Sequence, residues 1–451
     1  MQPQHVFHRS IGLEHPDVLK RATASRLIYA LQPSPVTFTQ PPPGEPHDEP
    51  QRAHISGVNA IAIDRFEGRY LLSGGADSSI AIWDLEAPSS SSSVGASIYT
   101  PMIAAGKTAE QHKLGITQVC FYSFDSLAFL SSSYDHTVKI YSSETLVPTM
   151  TWNLGSVVYN IDISPIAQHL LVACGTQGPN VRLIDLKTGA ATHALPGHSG
   201  AVLSTAWSPT REHVLASGAT DGSVRFWDIR MARGELGMLD LEDPVGVLGK
   251  ISHHRHTGRA QAHRGPVNGI VWTEDGRHLV TCGHDQRIRV WDTDTAANTL
   301  ANFGPMVRNS GLAPIIPCLP PSQYLLLERD LLFYPNQHEI LMYEMFEGKL
   351  LKRLKRPEQK RFSEQTVGKG QLNMKDRVTA LAWRHHDTEL YAAHSDGSIV
   401  AWKPRTQEDV DLDEEEEEER EAKQGSKKRK RGLLEDIYQD LTKKKITFGG
   451  S

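Results

Sequence analysis

The sequence predicts an all-β fold: a seven-bladed WD-repeat β-propeller with an N-terminal helical segment and a disordered C-terminal tail. Three observations carry this. The stretch ASGATDGSVRFWDIR (216–230) places Ser217, Asp221 and Trp227 at a spacing of four and then six residues. The same spacing recurs as Ser73/Asp77/Trp83, Thr281/Asp285/Trp291 and, with a terminal tyrosine, Ser131/Asp135/Tyr141. A Trp-Asp ending at long, regular intervals is what a propeller blade leaves in a sequence. One four-stranded blade cannot bury both of its faces, so neighbours must stack around a ring.

A propeller also explains how 451 residues can be organised without several separate domains. The hydrophobic share of 39% is low for a compact body and points to polar loops and tails diluting a real core. A formal net charge of −5 gives no overall basic field, so direct nucleic-acid binding by the body is not expected. No apolar run of about 18 residues and no secretory leader pattern occurs, so the expectation is a soluble intracellular protein without a membrane partner. Cys120, Cys174, Cys282 and Cys318 lie far apart without metal spacing and read as reduced thiols.

Residues 1–31 precede the repeats. Pro16 suits a first helical turn and Asp17 its positive end. Val18, Leu19, Ala22, Leu27, Ile28 and Leu31 fall roughly on one stripe. Two covers for that stripe are open: the chain's own propeller, or a groove on a partner. Residues 32–50, rich in proline, read as a linker that forms neither helix nor central strand.

The propeller is assigned to 51–405. Blade one spans about 54–86, followed by a serine-rich loop at 88–95. Blade two covers about 112–144, and blade three about 156–189, with Gly178-Pro179 where the turn aspartate is expected. Blade four begins at His198, and an insertion at about 231–262 separates it from blade five at His263. Blade six is read from YLLL (324–327), DLLFY (330–334) and EILMYE (339–344). Blade seven ends at Trp402, six residues after Asp396. Residues 51–56 are the candidate for a strand closing the ring.

The tail, 406–451, joins an acidic run containing Glu414–Glu419 to Lys427, Lys428, Arg429, Lys430 and Arg431. Such charge runs read as solvated and disordered, and the basic pentad also has the composition of a nuclear import signal. The address expected is the nucleus.

Histidine joins the repeat as His54/Ser73/Asp77/Trp83, His198/Ser217/Asp221/Trp227 and His263/Thr281/Asp285/Trp291. A catalytic triad occurs once, beside an oxyanion hole. Repetition blade after blade instead points to a structural chain from indole N–H through hydroxyl and imidazole to the turn carboxylate. No phosphate loop, HExxH or paired CxxC is present, and His253-His254-Arg255-His256 reads as an exposed loop rather than a metal site. No catalytic residue, metal or cofactor is expected. Asp228 and Arg230 differ from the repeat: an arginine two residues beyond the Trp-Asp aspartate reaches a rim of the ring, where it can pair locally or meet a partner.

With those residues in view, the chain resembles the Cockayne syndrome group A family of WD-repeat proteins. The carrying stretches are IGLEHPDVLKRATASRLI (11–28), EGRYLLSGGADSSIAIWDLE (67–86), GTQGPNVRLIDLKTG (175–189), GHSGAVLSTAWSP (197–209), DGSVRFWDIRMA (221–232) and NTLANFG (298–304). They cover about 5–405. The resemblance implies a non-catalytic substrate receptor of a nuclear cullin-RING ubiquitin ligase in transcription-coupled nucleotide excision repair. It implies contact with the triple-propeller damaged-DNA-binding adaptor through Leu13, Pro16, Leu19, Leu27, Ile28, Asp228 and Arg230. The Cockayne syndrome group B translocase and RNA polymerase II are the implied partners of the opposite face. The tail lies outside the resemblance. A generic nuclear scaffold in chromatin or ribosome assembly is the other reading of the same repeats.

Overall fold

In the computed structural model, residues 3–13, 15–40, 52–88, 90–91, 97–166, 169–231, 235–241, 260–326, 329–356 and 377–405 are described. They build a seven-bladed β-propeller. Blades one to four are antiparallel four-stranded sheets, each running from its inner strand outward. They are Val58–Ile63, Tyr70–Gly75, Ile80–Asp84 and Pro101–Ala105; Ile116–Phe121, Ala128–Ser133, Thr137–Ser142 and Pro148–Asn153; Val158–Ile163, Leu171–Thr176, Val181–Asp185 and Ala190–Leu195; and Val202–Trp207, Val214–Ala219, Val224–Asp228 and Glu235–Met238. Blade five has Val267–Trp272, His278–Gly283 and Arg287–Asp292, with a single bridge from Trp291 to Asn298 in place of a fourth strand. Blade six has Leu331–Pro335, Glu339–Glu344 and Leu350–Lys355, and a Cys318–Phe333 bridge marks its inner position.

Blade six departs from the expectation at YLLL (324–327): Ser322–Tyr324 is a 3-10 turn, and Tyr324 and the following Leu325 are buried rather than opening a strand. The inner position belongs to Cys318, where a proline-rich stretch permits only one bridge.

Ring closure also differs from the expectation. Blade seven takes Val378–Trp383, Leu390–His394 and Ile399–Pro404, and its outer strand is Leu31–Pro33, not 51–56. An outer strand uses hydrogen bonds on one side only, so Pro33 is tolerated where a central strand would exclude it. A second strand, Val36–Phe38, runs parallel to Ser97–Tyr99, so the expected linker contributes two strands before its proline run. Ser90–Ser91 pairs with Ser97–Tyr99 inside the serine-rich stretch, and Glu235–Met238 is blade structure within the expected insertion. Phe38 is buried with its ring centroid 5.3 Å from Trp83, 5.2 Å from Tyr99 and 6.2 Å from Tyr391. Residues 31–38 thus fasten blade seven to blade one twice.

The turn between the second and third strands explains one sequence position. The residue after the turn aspartate adopts a left-handed φ in five blades: Gly222 at 80° and Gly397 at 89°, but also Ser78 at 70°, His136 at 71° and Gln286 at 59°. Backbone N–H groups donating to the aspartate carboxylate hold that geometry even where glycine is absent. Neighbouring blades are further joined around the ring by inner-strand side chains. Asn59 Nδ2 donates to the Ile116 carbonyl at 2.7 Å and Thr117 Oγ1 to that of Val158 at 2.7 Å. Thr205 Oγ1 donates to Asn160 Oδ1 at 2.9 Å, Asn268 Nδ2 to the Ala313 carbonyl at 2.8 Å, and Thr379 Oγ1 to that of Val58.

Two helices precede the ring, α1 (Pro3–Ser10) and α2 (Pro16–Tyr29). His15 is the N-cap of α2, with Pro16 in its first turn and Asp17 beside it. The stripe that turns inward is Ala24, Ile28 and Leu31, which join Tyr324, Leu325, Phe333, Met342 and Trp402 of blades six and seven in one core cluster. Spacing of four and three selects this stripe. Val18 and Leu27 of the same stripe are exposed, so the propeller covers only part of it. No helix among the described residues is long and apolar enough to cross a membrane.

Candidate docking rims

Strands alternate in direction, so the ring has two unlike rims. One, the entry rim, carries the turns between second and third strands and the segments entering each blade. The other, the return rim, carries the first-to-second and third-to-fourth connections.

The His-Ser/Thr-Asp-Trp sets lie inside the entry rim. Trp83, Trp227 and Trp291 donate Nε1–H to Ser73 at 2.9 Å, Ser217 at 2.7 Å and Thr281 at 2.9 Å. Each hydroxyl, already accepting from the indole, lies 2.7 Å from Nε2 of His54, His198 or His263 and donates to it. That leaves the imidazole proton on Nδ1. In blades two and five it points directly at the carboxylate: His112 to Asp135 at 3.0 Å and His263 to Asp285 at 2.9 Å. In blades one and four a second serine is interposed. Nδ1 of His198 meets Ser223 Oγ at 2.8 Å, which donates to Asp221 at 2.6 Å, and Ser79 does the same between His54 and Asp77. Sequence spacing did not mark these relay serines, two residues after the aspartate, because a hydroxyl beside a turn carboxylate also reads as an ordinary turn residue.

Ser73, Ser131, Ser217 and Thr281 have no exposed surface. A substrate cannot reach them, so the arrangement can hold blades but cannot attack a carbonyl. Burial alone would raise the carboxyls of Asp77, Asp135, Asp221 and Asp285. The histidine hydrogen bond and further charge and hydrogen-bond contacts outweigh it and hold all four well below the usual carboxylate range. Burial depresses the His263 imidazole against the pull of Asp285, which favours its neutral form.

Blades six and seven depart from this pattern. Ala392 and Phe333 stand ten residues before Trp402 and Tyr343, where blades one, two, four and five have a hydroxyl, and Trp402 Nε1 and Tyr343 Oη are buried without a hydrogen-bond partner among the described residues. Asp396 instead pairs with Arg356 at 2.7 Å.

The return rim carries the other sequence-derived residues. Asp228 is buried at the end of its strand and takes a forked contact from Arg230, Nε to Oδ1 at 3.0 Å and Nη2 to Oδ2 at 2.7 Å. That hydrogen-bonded pair holds the Asp228 carboxyl below its ordinary value against the opposing effect of burial. The Arg230 side chain is 66% exposed, so the local pair presets a guanidinium that still faces outward, with Nη1 outside the fork. Arg69 makes a similar fork on Asp84, at 2.6 Å and 3.1 Å, from another loop of the same rim. A separation of fifteen positions hid that pair from any local motif.

α2 lies on the return rim too, against the turn that joins the inner and second positions of blade six. Leu13 is 71% and Leu27 is 37% exposed, while Leu19 is half-buried. Phe7, Ile11 and Val18 add exposed apolar surface. A groove of about 520 Å³ runs between α2 and the blade-six loop, lined by His15, Asp17, Val18, Arg21, Leu326 and Arg329. Ile28, carried over from the resemblance as an adaptor contact, has no exposed surface and anchors the helix instead. Of Pro16 only its backbone place in the first turn is described. The helix and Arg230 share a rim but sit over different blades. Residues 253–256, the acidic run and Lys427–Arg431 lie outside the described residues.

The family model for the WD domain, G-beta repeat, matches residues 49–84, 106–142, 189–228 and 255–292. The chain is a WD-repeat protein, and a WD-repeat propeller typically serves as a protein-binding scaffold. It is 29% identical to WD repeat-containing protein ATCSA-1 of Arabidopsis thaliana over 78% of this chain and 86% of that protein. It is 28% identical to ribosome biogenesis protein ytm1 of Neurospora crassa, over 52% of this chain and 54% of that protein. With radiation-sensitive protein 28 of Saccharomyces cerevisiae it shares 27% identity, over 40% of this chain and 38% of that protein.

Proposed function

We propose that the chain is the substrate-recognition subunit of a nuclear cullin-RING ubiquitin ligase acting in transcription-coupled nucleotide excision repair. The observation that carries this is one rim bearing both an apolar helical pair and a preset arginine. The exposed Phe7, Ile11, Leu13, Val18 and Leu27 are what a helix needs to enter a groove on an adaptor. Arg230, ordered by Asp228, supplies a directional polar contact elsewhere on the same rim. The likeness to ATCSA-1 spans 78% of the chain, far more than the four matched repeats, which supports this reading. The ring brings no chemistry of its own to ubiquitin transfer; it sets proximity between adaptor and substrate. The Cockayne syndrome group B translocase and stalled RNA polymerase II are the partners proposed for the opposite rim, and Lys427–Arg431 the nuclear import signal.

A second reading rests on the likeness to ytm1: a scaffold in ribosome biogenesis. It uses the ring and makes no demand on α1, α2 or Arg230.

Affinity purification of the full chain after transcription-blocking DNA damage separates the two. The wild type should recover adaptor, translocase and polymerase, and Leu13→Asp with Leu27→Asp should lose the adaptor while melting normally. Ile28→Asp is expected to damage the fold itself, because its side chain is core. Adaptor recovery unaffected by the Leu13/Leu27 pair, or recovery of ribosome precursors in its place, refutes the ligase reading.

A further inference from the structure

The entry rim over blades five to seven holds a group of cations that the docking of the return rim does not use. Arg264, Arg287, Arg308 and Arg377 form no ion pair with a carboxylate among the described residues. The carboxylates nearby are already taken. Asp285 serves His263 at 2.9 Å and Arg289 at 2.8 Å, Glu339 serves Arg353 at 2.8 Å, and Asp396 serves Arg356 at 2.7 Å.

One loop, residues 308–313, carries Arg308, abuts Arg377 and adjoins the blade-five turn that bears Arg287, whose Nη1 reaches Asn302 Oδ1 at 3.5 Å. Arg308 Nη1 donates to Gln286 Oε1 at 3.2 Å, beside Arg287. The Arg264 backbone N–H reaches Asp285 Oδ2 at 3.3 Å in the same turn, and His284 Nε2 lies 2.8 Å from the Gly311 carbonyl. The Arg377 guanidinium lies against Gly311 so closely that a Cβ there would fall 2.5 Å from Nη1. Arg264, Arg287 and Arg308 are exposed, whereas Arg377 is half-buried. A cation drawn out of water without an anion is costly, and a carboxylate arriving from outside offsets that cost. Burial accordingly lowers the Arg377 pKa, with no carboxylate opposing it.

We propose that this sector of the entry rim binds an extended acidic segment of a partner protein. Planar guanidinium forks match carboxylates. Leu312, 48% exposed in the middle of the loop, gives an apolar side chain of the segment a place to sit. A nucleic-acid strand fits less well, because the loop offers a leucine where base stacking asks for aromatic faces. The chain as a whole also carries a formal charge of −5 and repels a long polyanion beyond the patch. The site faces away from α1, α2 and Arg230, so it stands or falls separately from adaptor docking.

Fluorescence anisotropy of the full chain with a short, labelled Glu/Asp-rich peptide containing one leucine tests the proposal. Saturable binding that weakens with salt is expected. Arg287→Glu with Arg308→Glu should reduce affinity at least about tenfold, while Lys113→Glu on the entry rim of blade two should not. Arg287→Gln with Arg308→Gln, whose folding is checked by circular dichroism, serves if charge reversal unfolds the chain. Absent binding, binding indifferent to both double variants, or tighter binding of a labelled oligodeoxynucleotide overturns the proposal.

Discussion

Lys352 Nζ donates to the Tyr29 carbonyl at 3.0 Å and to the Leu31 carbonyl at 2.8 Å. One ammonium on the outer strand of blade six therefore joins the end of α2 to the start of the closing strand. Unpaired carbonyls at a helix C-terminus favour a cation. Burial lowers the Lys352 pKa.

Lys352→Met keeps the stem and removes the donor. It should cost about 1–2 kcal/mol, the loss of hydrogen bonds from a charged donor. Urea unfolding of the full chain measures it, and hydrogen exchange should locate the loosening at residues 29–33. A variant with the wild-type midpoint and unaltered exchange there contradicts the role.

Phe38 locks the other end of the closing segment. Its ring fills the space between Trp83, Tyr99 and Tyr391, so Phe38→Ala leaves a cavity between blades seven and one. The expected cost is about 3–5 kcal/mol. A differential-scanning measurement should show a single, strongly lowered transition if closure and ring unfold together. A change below about 1 kcal/mol means the site collapses to fill the gap.

These two latches mark where sequence reading stops. The blades with Ser73, Ser217 and Thr281 were legible because one local spacing places hydroxyl, turn carboxylate and indole together in three dimensions. Leu31-Gln32-Pro33 was not: its strand character comes from an edge hundreds of residues away, and local proline content argues for a linker. Tyr324–Leu325 misled for the opposite reason, since apolar residues covering α2 and apolar residues in a strand look alike over a short run. Of the return-rim residues, the sequence located Asp228 and Arg230 because their pairing is local. The resemblance carried Ile28 over beside Leu27 as an adaptor contact, but adjacent helix residues point in different directions and Ile28 is buried.

Acid and base should act on stability through different aspartates. The carboxyls of Asp77, Asp135, Asp221 and Asp285 are depressed in the folded state. Their contribution is complete above the unfolded value of about 3.9 and is lost as pH falls through it toward the folded values. Asp162 behaves oppositely. Burial between blades three and four pushes its carboxyl up to about 7, against the lowering effect of the Trp207 backbone N–H at 2.6 Å. Between about pH 4 and 7 the folded state keeps a proton that the unfolded state has released, so this group's contribution declines as pH rises. Asp162→Asn retains an acceptor for Trp207 and should flatten that decline. Asp221→Asn should instead shallow the acid limb below about pH 4. Urea midpoints from pH 3 to 8 test both, and parallel wild-type and Asp162→Asn profiles over the upper window rule out the Asp162 assignment.

Blade seven offers the converse test, in which a missing bond is restored. Ala392 pairs with Val400 in the register that Ser217 shares with Arg225, and each stands ten residues before its tryptophan. Ser217 accepts from Trp227 Nε1 at 2.7 Å, whereas Trp402 Nε1 is buried with no acceptor among the described residues. A serine hydroxyl at 392 therefore falls where the indole proton needs an acceptor. Adding one oxygen to a fully buried alanine costs some packing. Satisfying an orphaned N–H is worth more, because an unpaired buried donor carries its whole desolvation penalty. Ala392→Ser is expected to stabilise the full chain by about 1 kcal/mol, with a parallel rise in melting temperature. Ala392→Val, which adds bulk without an acceptor, should destabilise it. The same sign of change for both substitutions means that packing, rather than the Trp402 hydrogen bond, governs this position.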